Sequence, residues 1–362
     1  MRESIRIALV LSGGGIRAMV FHLGMMKLLA ERGLLENIEK LSTVSGGSLL
    51  IGLMLQEAGM QWPSSEVFLS QIYPILRMKL CQRSLQWGAL RQLRNPLNIC
   101  FFLSRANLLA LALKNEWQVS GRLADLPAHP EWSINGTTAE NGKRFRFKVT
   151  DIGDYTLGYA ASANFPLADA LAVSAAFPGG FGPLALNASK FSWYKRPWGA
   201  PVGTEQPVNI GYETLHLYDG GVYDNLGLEP FFDAGRGKAK QEGLCIIVSD
   251  AGAPLAAGFS FGAFNPFRLK RVADIMSDQA HALRVRTFST YLQKEPGRGA
   301  FIYINTPIEK EIPSKSMEFA AGFPTTLRRL NTDEFDRLAS HGYLVAAQME
   351  RQYGLVGNST IT

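Results

Sequence analysis

Three short stretches of this chain hold residue types that could do chemistry together. Thr43-Val44-Ser45-Gly46-Gly47 lies where an apolar run turns into a helical one. The Ser45 hydroxyl would stand there at the apex of a tight bend, with small neighbours that admit a substrate, as a serine nucleophile requires. The stretch departs from G-x-S-x-G at its first position, where Thr43 replaces glycine, and a Ser-Gly-Gly can also be a plain helix N-cap. Ser12-Gly13-Gly14-Gly15 closes the first apolar run, and its backbone N–H groups can point at an oxyanion. The same residues satisfy Gly13-x-Gly15-x-x-Ala18, the glycine pattern of a dinucleotide-binding turn. That turn wants an acidic residue at the end of the second strand to hold a ribose. Here the strand ends in Thr43-Val44-Ser45, so an NAD- or FAD-binding Rossmann-type protein is the weaker alternative.

The third stretch is Leu217-Tyr218-Asp219-Gly220-Gly221-Val222-Tyr223-Asp224-Asn225-Leu226-Gly227. Two glycines directly after Asp219 let the carboxylate stand uncrowded at a strand end, as a base bonded to a serine must. An Asp-Gly pair is also a common turn. A histidine serving as third member would follow the acid, and only His281 and His341 do; neither has a motif around it. His22, His129 and His216 precede it. The chain order excludes an ordinary α/β-hydrolase, in which several strands come before the serine; here only one does.

The elements that must position these residues alternate strand, helix, strand, helix. Residues 4–11 read as a strand, 16–32 as a helix stopped by Gly33, 40–44 as a second strand, and the following apolar helix ends near Gly59. This opening predicts a parallel, doubly wound α/β sheet. A basic and largely helical excursion follows Pro63 to about Gln118, and residues 144–151 read as the return to the sheet. Residues 155–189 carry a single charge, Asp169, and should be buried or line a pocket. Residues 215–218 and 244–250 read as strands, Gly258–Phe267 as an aromatic loop, and residues 333–353 as a closing helix.

Composition sets outer bounds. The 362 residues are 46% hydrophobic and 19% charged, which suits a large core with some apolar surface and excludes global disorder. Cys81, Cys100 and Cys245 form no CxxC or Cys/His cluster, so neither a metal site nor a disulfide framework is expected, and a cytoplasmic, reducing setting is. The only span-like stretch, residues 97–113, is interrupted by Asn98, Ser104, Arg105 and Asn107. Net charge is +6, but residues 67–115 alone hold seven cations and no acid. These cations, Arg91, Arg94 and Arg105 among them, are interleaved with aromatic side chains and could meet anionic lipid headgroups, nucleic acid or another anionic ligand, or form a solvated basic face packed on a core.

Taken together, the motifs resemble the patatin-like phospholipase family in its bacterial form. Gly13-Gly14-Gly15-Ile16-Arg17 is similar to its glycine-rich loop with the following arginine, Ser45 to its nucleophile, and Asp219-Gly220-Gly221 to its Asp-Gly motif. Ser174-Ala175-Ala176-Phe177-Pro178-Gly179-Gly180-Phe181 is similar to the Ala-Ser-Ala-Ala-x-Pro stretch between them. The resemblance implies a three-layer α/β/α fold with a central, mostly parallel sheet and a basic helical insertion or cap over residues 67–118. It covers residues 1–353 as one domain, with a tail over 354–362. It further implies a lipid acyl hydrolase of the phospholipase A type that attacks fatty-acyl esters of membrane phospholipids. Ser45 would be the nucleophile, Asp219 its direct base in a Ser-Asp dyad, and Gly13, Gly14 and Gly15 the oxyanion loop, braced by Arg17. No cofactor and no nucleic-acid partner are implied; location would be peripheral to a membrane, with Arg91, Arg94, Arg105 and the Phe259–Phe267 loop as candidates for the anionic lipid surface. Some bacterial members are membrane-degrading effectors switched on by a cyclic nucleotide, so such an activator is an expectation too, although no stretch here marks its site. A catalytically inactive binding module of the same fold is the remaining alternative.

Overall fold

The computed structural model describes residues 5–354 other than 103, 179, 180, 202, 260–264, 266 and 310–313. The chain opens as β1 (Ile7–Leu11), α1 (Gly15–Glu31), β2 (Ile38–Thr43) and α2 (Gly46–Glu57). A helical stretch follows, with α3 (Tyr73–Gln82), α4 (Leu85–Gln92) and α5 (Arg105–Glu116). The strands β3 (Glu131–Thr138), β4 (Arg144–Phe147), β5 (Asp151–Asp154) and β6 (Gly158–Ala161) lead to α6 (Leu167–Ser174). After β7 (Leu184–Asn187) come β8 (Thr214–Asp219), β9 (Cys245–Asp250), α7 (Phe267–Lys294), β10 (Gly299–Tyr303), α8 (Lys315–Gly322) and α9 (Thr332–Tyr353).

The strands β10, β9, β1, β2 and β3 lie side by side and all parallel. Beyond β3 the sheet continues through β4, β5 and β6 in antiparallel pairs. The centre is therefore the parallel sheet that the alternating opening predicts. The return to the sheet comes earlier than residues 144–151 suggested: β3 makes it, and Arg144–Phe147 only hairpins back along β3.

Strand β1 shows why helices cover both faces. Ile7, Leu9 and Leu11 belong to a core shared with α1, α2 and α9, whereas Ala8 and Val10 pack with Ile246, Val248 and Phe288 of α7 on the other side. Period-two alternation directs each set to its own layer. The first core also takes Leu76, Ala89 and Leu109 from the helical stretch. Helix α9 starts at Asn331, which forms a capping box with Glu334, and stops at left-handed Gly354. Among the described residues no helix is long and apolar enough to cross a membrane.

One register detail brings the site together. Strand β2 leaves the edge of β3 with Thr43 opposite Ile134, and β8 enters the same edge from the opposite direction, with Asp219 opposite Gly136. The C-terminal ends of β2 and β8 thus meet nearly head-on. Whatever follows Thr43 must face Asp219.

Candidate active site

Ser45 follows β2 by two residues and takes φ 49°, ψ −116°, a left-handed backbone conformation for a residue with a side chain. Such a conformation costs on the order of 1–3 kcal/mol and persists only where its surroundings enforce it. They do so from three sides. The N–H of Val44 donates to Leu11 O at 3.0 Å, and the N–H of Ser45 meets Ser174, whose carbonyl is 3.1 Å and Oγ 3.0 Å away. Helix α2 then starts so close to the glycine loop that a Cβ on Gly46 would overlap Gly15 O. Thr43, where the bare pattern has glycine, does not crowd the bend. Its Oγ1 is buried, 2.7 Å from Ser48 Oγ, and accepts from Trp132 Nε1 at 2.9 Å.

Asp219 is 2% exposed; the Gly221 N–H donates to it at 2.6 Å, and the Ser45 hydroxyl lies near enough to favour its ionised form. Burial raises its carboxyl from 3.8 to about 7, and those two groups only partly offset the shift. A carboxylate is a feeble base in water; one poised near 7 is matched to taking a proton at neutral pH. The Asp219 N–H donates to Ala176 O at 3.2 Å, and Thr137 Oγ1 donates to Asp219 O at 2.8 Å.

The stretch at the end of α6 therefore holds both partners, Ser45 through Ser174 and Asp219 through Ala176. Ser174 Oγ in turn donates to Asn135 O at 2.7 Å, and Asn135 Nδ2 donates to Thr43 O at 2.9 Å. The sequence marks Ser174–Phe181 as a motif but not for this task, and no sequence pattern marks Asn135. Gly179 and Gly180 of that motif lie outside the described residues.

The glycine loop stands over the serine. An added Cβ at Gly13 would lie 3.1 Å from Ser45 Cβ. Gly14 and Gly15 have φ 141° and 62°, which a side chain would strain. Of the three expected donors, Gly13 departs from its expected role: its N–H donates to Asn225 O at 3.1 Å. Ile16 N–H is likewise engaged, with Thr326 O at 2.8 Å. Gly14 and Gly15 lie between these two anchors.

Arg17 is buried beneath the loop, where Nε donates to Ala251 O at 3.1 Å and Nη1 to Phe323 O at 2.5 Å. Desolvation lowers its guanidinium to about 10, with Asp250 opposing the shift, so it stays charged at neutral pH. Its hydrogen bonds brace the loop against the segments after β9 and α8.

The histidines have other partners. His22 bridges Ser249 Oγ at 2.8 Å and Ser12 O at 3.1 Å, and burial pushes it down to about 4. His281 contacts Asp250 at 2.8 Å, His216 contacts Glu140 at 2.8 Å, and His341 contacts Ile304 O at 2.7 Å. Among the described residues none is placed on Ser45 or Asp219.

A cavity of about 510 Å³ opens over Ser45 and Gly15. Its walls come from Gln86, Ala89 and Leu90 of α4, Arg105 and Leu108 on α5, Ala175, Phe177 and Phe181 after α6, and the Thr325–Leu327 segment. The helical stretch thus roofs the serine, and Thr325–Leu327, unmarked in the sequence, closes one side by bonding both Gln86 and Ile16. Exposed Trp87, Leu90, Leu97, Ile99, Phe102 and Phe177 give this region apolar surface.

The seven cations of residues 67–115 are not the unbalanced field that the sequence suggested. Arg77 pairs with Asp336, Lys79 with Glu57, Arg91 with Glu116 and Lys114 with Asp169, all acids from outside the stretch. Arg105 stacks over Phe102 at the cavity wall, and Arg94 lies on the exposed surface. Most of the Gly258–Phe267 loop falls outside the described residues. No group of His, Cys, Asp and Glu suited to a metal ion occurs among the described residues.

No curated protein sequence matches the chain. A human GIVD cytosolic phospholipase A2 structure matches it with TM-score 0.55 and 15% identity, over 97% of this chain and 62% of that one. A second structure of the human enzyme, in complex with methyl gamma-linolenyl fluorophosphonate and terbium chloride, matches with TM-score 0.51 and 14% identity, over 97% and 58%. The chain spans about three fifths of the length of these solved chains, and at such identity the likeness is one of fold. The family model described as patatin-like phospholipase matches residues 9–232, a span that holds the glycine loop, Ser45, the Ser174 stretch and Asp219. The chain belongs to the patatin-like phospholipase family.

Proposed function

We propose that this protein is a lipid acyl hydrolase that cleaves fatty-acyl esters of phospholipids through a Ser45–Asp219 dyad. One observation carries the reading: a strained serine, beside a buried aspartate of raised pKa, opens into a largely apolar cavity. Ser45 Oγ attacks the ester carbonyl while its proton passes to Asp219. The tetrahedral oxyanion rests on the N–H groups of Gly14 and Gly15, and the alcohol leaves with the proton returned by Asp219. Water then repeats the sequence on the acyl-enzyme and releases the fatty acid. The cavity under α4 and α5 takes the acyl chain, and the apolar rim gives it a path from a membrane, which suits a peripheral enzyme at an anionic lipid surface.

Release of fatty acid from phospholipid by the purified protein, with Ser45→Ala as control, tests this reading. An active wild type and a silent variant are expected; equal release from both would refute it. Parallel reactions with candidate cyclic nucleotides test the proposed activator: a rate that depends on the nucleotide supports it, and a rate indifferent to all of them removes it.

A further inference from the structure

Helix α7 has two apolar faces on opposite sides. His281, Val285, Phe288 and Leu292 recur at intervals of three and four residues and point inward. His281 meets Asp250, while Phe288 and Leu292 are buried with Val10 and Ile246, and Val285 packs beside them. At about 100° per residue, Leu269, Val272, Met276 and Leu283 fall on the other side of the helix. They are 78, 53, 68 and 60% exposed. An apolar stripe at helical spacing on a face turned away from its own core has no folding role.

The helix also reaches past the sheet. Leu292 lies against Gly299, at the start of β10, and His281 against Asp250, at the end of β9, so α7 runs antiparallel to these strands. Residues 268–280 continue beyond the C-terminal edge of the parallel strands, by roughly 20 Å at the helical rise. Ser45 follows β2 at that same edge. The charges are sorted as well. The helix holds six cations and two acids. Arg268 and Arg286 border the stripe, whereas Asp274 and Asp278 lie on the side that faces the body. Exposed Phe259 stacks beneath Arg268 at 5.6 Å.

We propose that the outward face of α7 docks the protein on an anionic lipid surface, with Leu269, Val272, Met276 and Leu283 entering the headgroup boundary and Arg268 and Arg286 meeting anionic headgroups. The net positive face disfavours a second copy of the chain as the occupant, because like charges would meet. This inference rests on the phospholipid reading of the Ser45 site for its purpose, though not for its test.

The test is co-sedimentation of the full chain with vesicles of phosphatidylglycerol and phosphatidylcholine, comparing wild type with the combined Leu269→Ser, Met276→Ser, Leu283→Ser variant. Binding falls by about tenfold or more in the variant, since each side chain loses its apolar transfer. It weakens with rising salt and with omission of phosphatidylglycerol. Hydrolysis of a soluble short-chain ester stays as in wild type, which also reports that the variant is folded. Undiminished vesicle binding overturns the proposal, and so does a wild-type dimer that the triple substitution turns into monomers. A wild type that binds vesicles through α7 but cleaves no soluble ester would instead refute the catalytic reading and leave the docking face standing.

Discussion

At the residue scale two unfavourable states, one conformational and one electrostatic, are held side by side, and each predicts a trade of stability against activity. In the proposed dyad Asp219 must be ionised to take the serine proton, and burial holds its carboxyl at about 7. Ester turnover should therefore rise as pH passes through about 7 and level off above it, in a kcat/KM profile measured on a soluble ester. Stability runs the other way. The folded protein holds this proton more tightly than the unfolded chain, so the contribution is complete below about pH 4 and is lost as pH rises through about 7. Asp219→Asn, which cannot ionise, should be inactive yet more stable than wild type at pH 8, by up to roughly 4 kcal/mol, with the difference vanishing in acid. Denaturant unfolding at the two pH values checks this. Ser45 gives a parallel case through its φ of 49°. Ser45→Gly and Ser45→Ala should both be inactive, but the glycine variant should be the more stable by about 1 kcal/mol, because only glycine takes that conformation without strain. The sequence marks both residues as candidates. The raised carboxyl was not, since it comes from burial that no local pattern displays.

At the element scale the site is a product of register. Because β8 meets β2 end to end along one edge of β3, the aspartate of one strand faces the serine after the other across 174 residues of sequence. The sequence shows β1, α1, β2 and α2 through their apolar runs and glycine stops, and α9 through its periodicity. It does not show which edge β8 joins, because strand pairing depends on partners far away in the chain. It also hid the 28 residues of α7, whose outward apolar stripe and inward apolar face blur the periodicity of a one-sided helix. The Ser174 stretch is the link that only the structure explains. Ser174→Ala removes the hydroxyl that joins Ser45 N–H, Ser48 and Asn135 O while leaving the carbonyl contact. Turnover should fall by roughly 10–100-fold with little change in KM, as expected when positioning and not binding is lost. Gly14→Ala should lose roughly 10²–10³ in turnover, and it should also unfold more readily, because its Cβ would lie 2.9 Å from Ala251 O. Thermal melts beside the kinetics separate these two effects.

On the scale of the whole molecule, the helical stretch between α2 and β3 and the long α7 both bear on the catalytic edge of the sheet. Sequence composition suggested a free basic face over residues 67–115, whereas distant acids pair with much of that charge and the helices instead roof the serine with apolar side chains. Charge counted along a chain does not reveal partners supplied by folding. If the cavity receives the acyl chain, Leu90→Trp, a change at a half-exposed wall position, should depress turnover of long-chain esters several-fold more than that of short-chain ones. A chain-length series of esters reads this directly. The central claim, that Ser45 and Asp219 act as a two-residue unit, is tested most directly by the rate and site of fluorophosphonate labelling in wild type, Asp219→Asn and His281→Ala. Labelling is expected at Ser45, slower by roughly 10³-fold in Asp219→Asn and within a few-fold of wild type in His281→Ala. Labelling of Asp219→Asn at the wild-type rate, or a folded His281→Ala that fails to label, would contradict that claim.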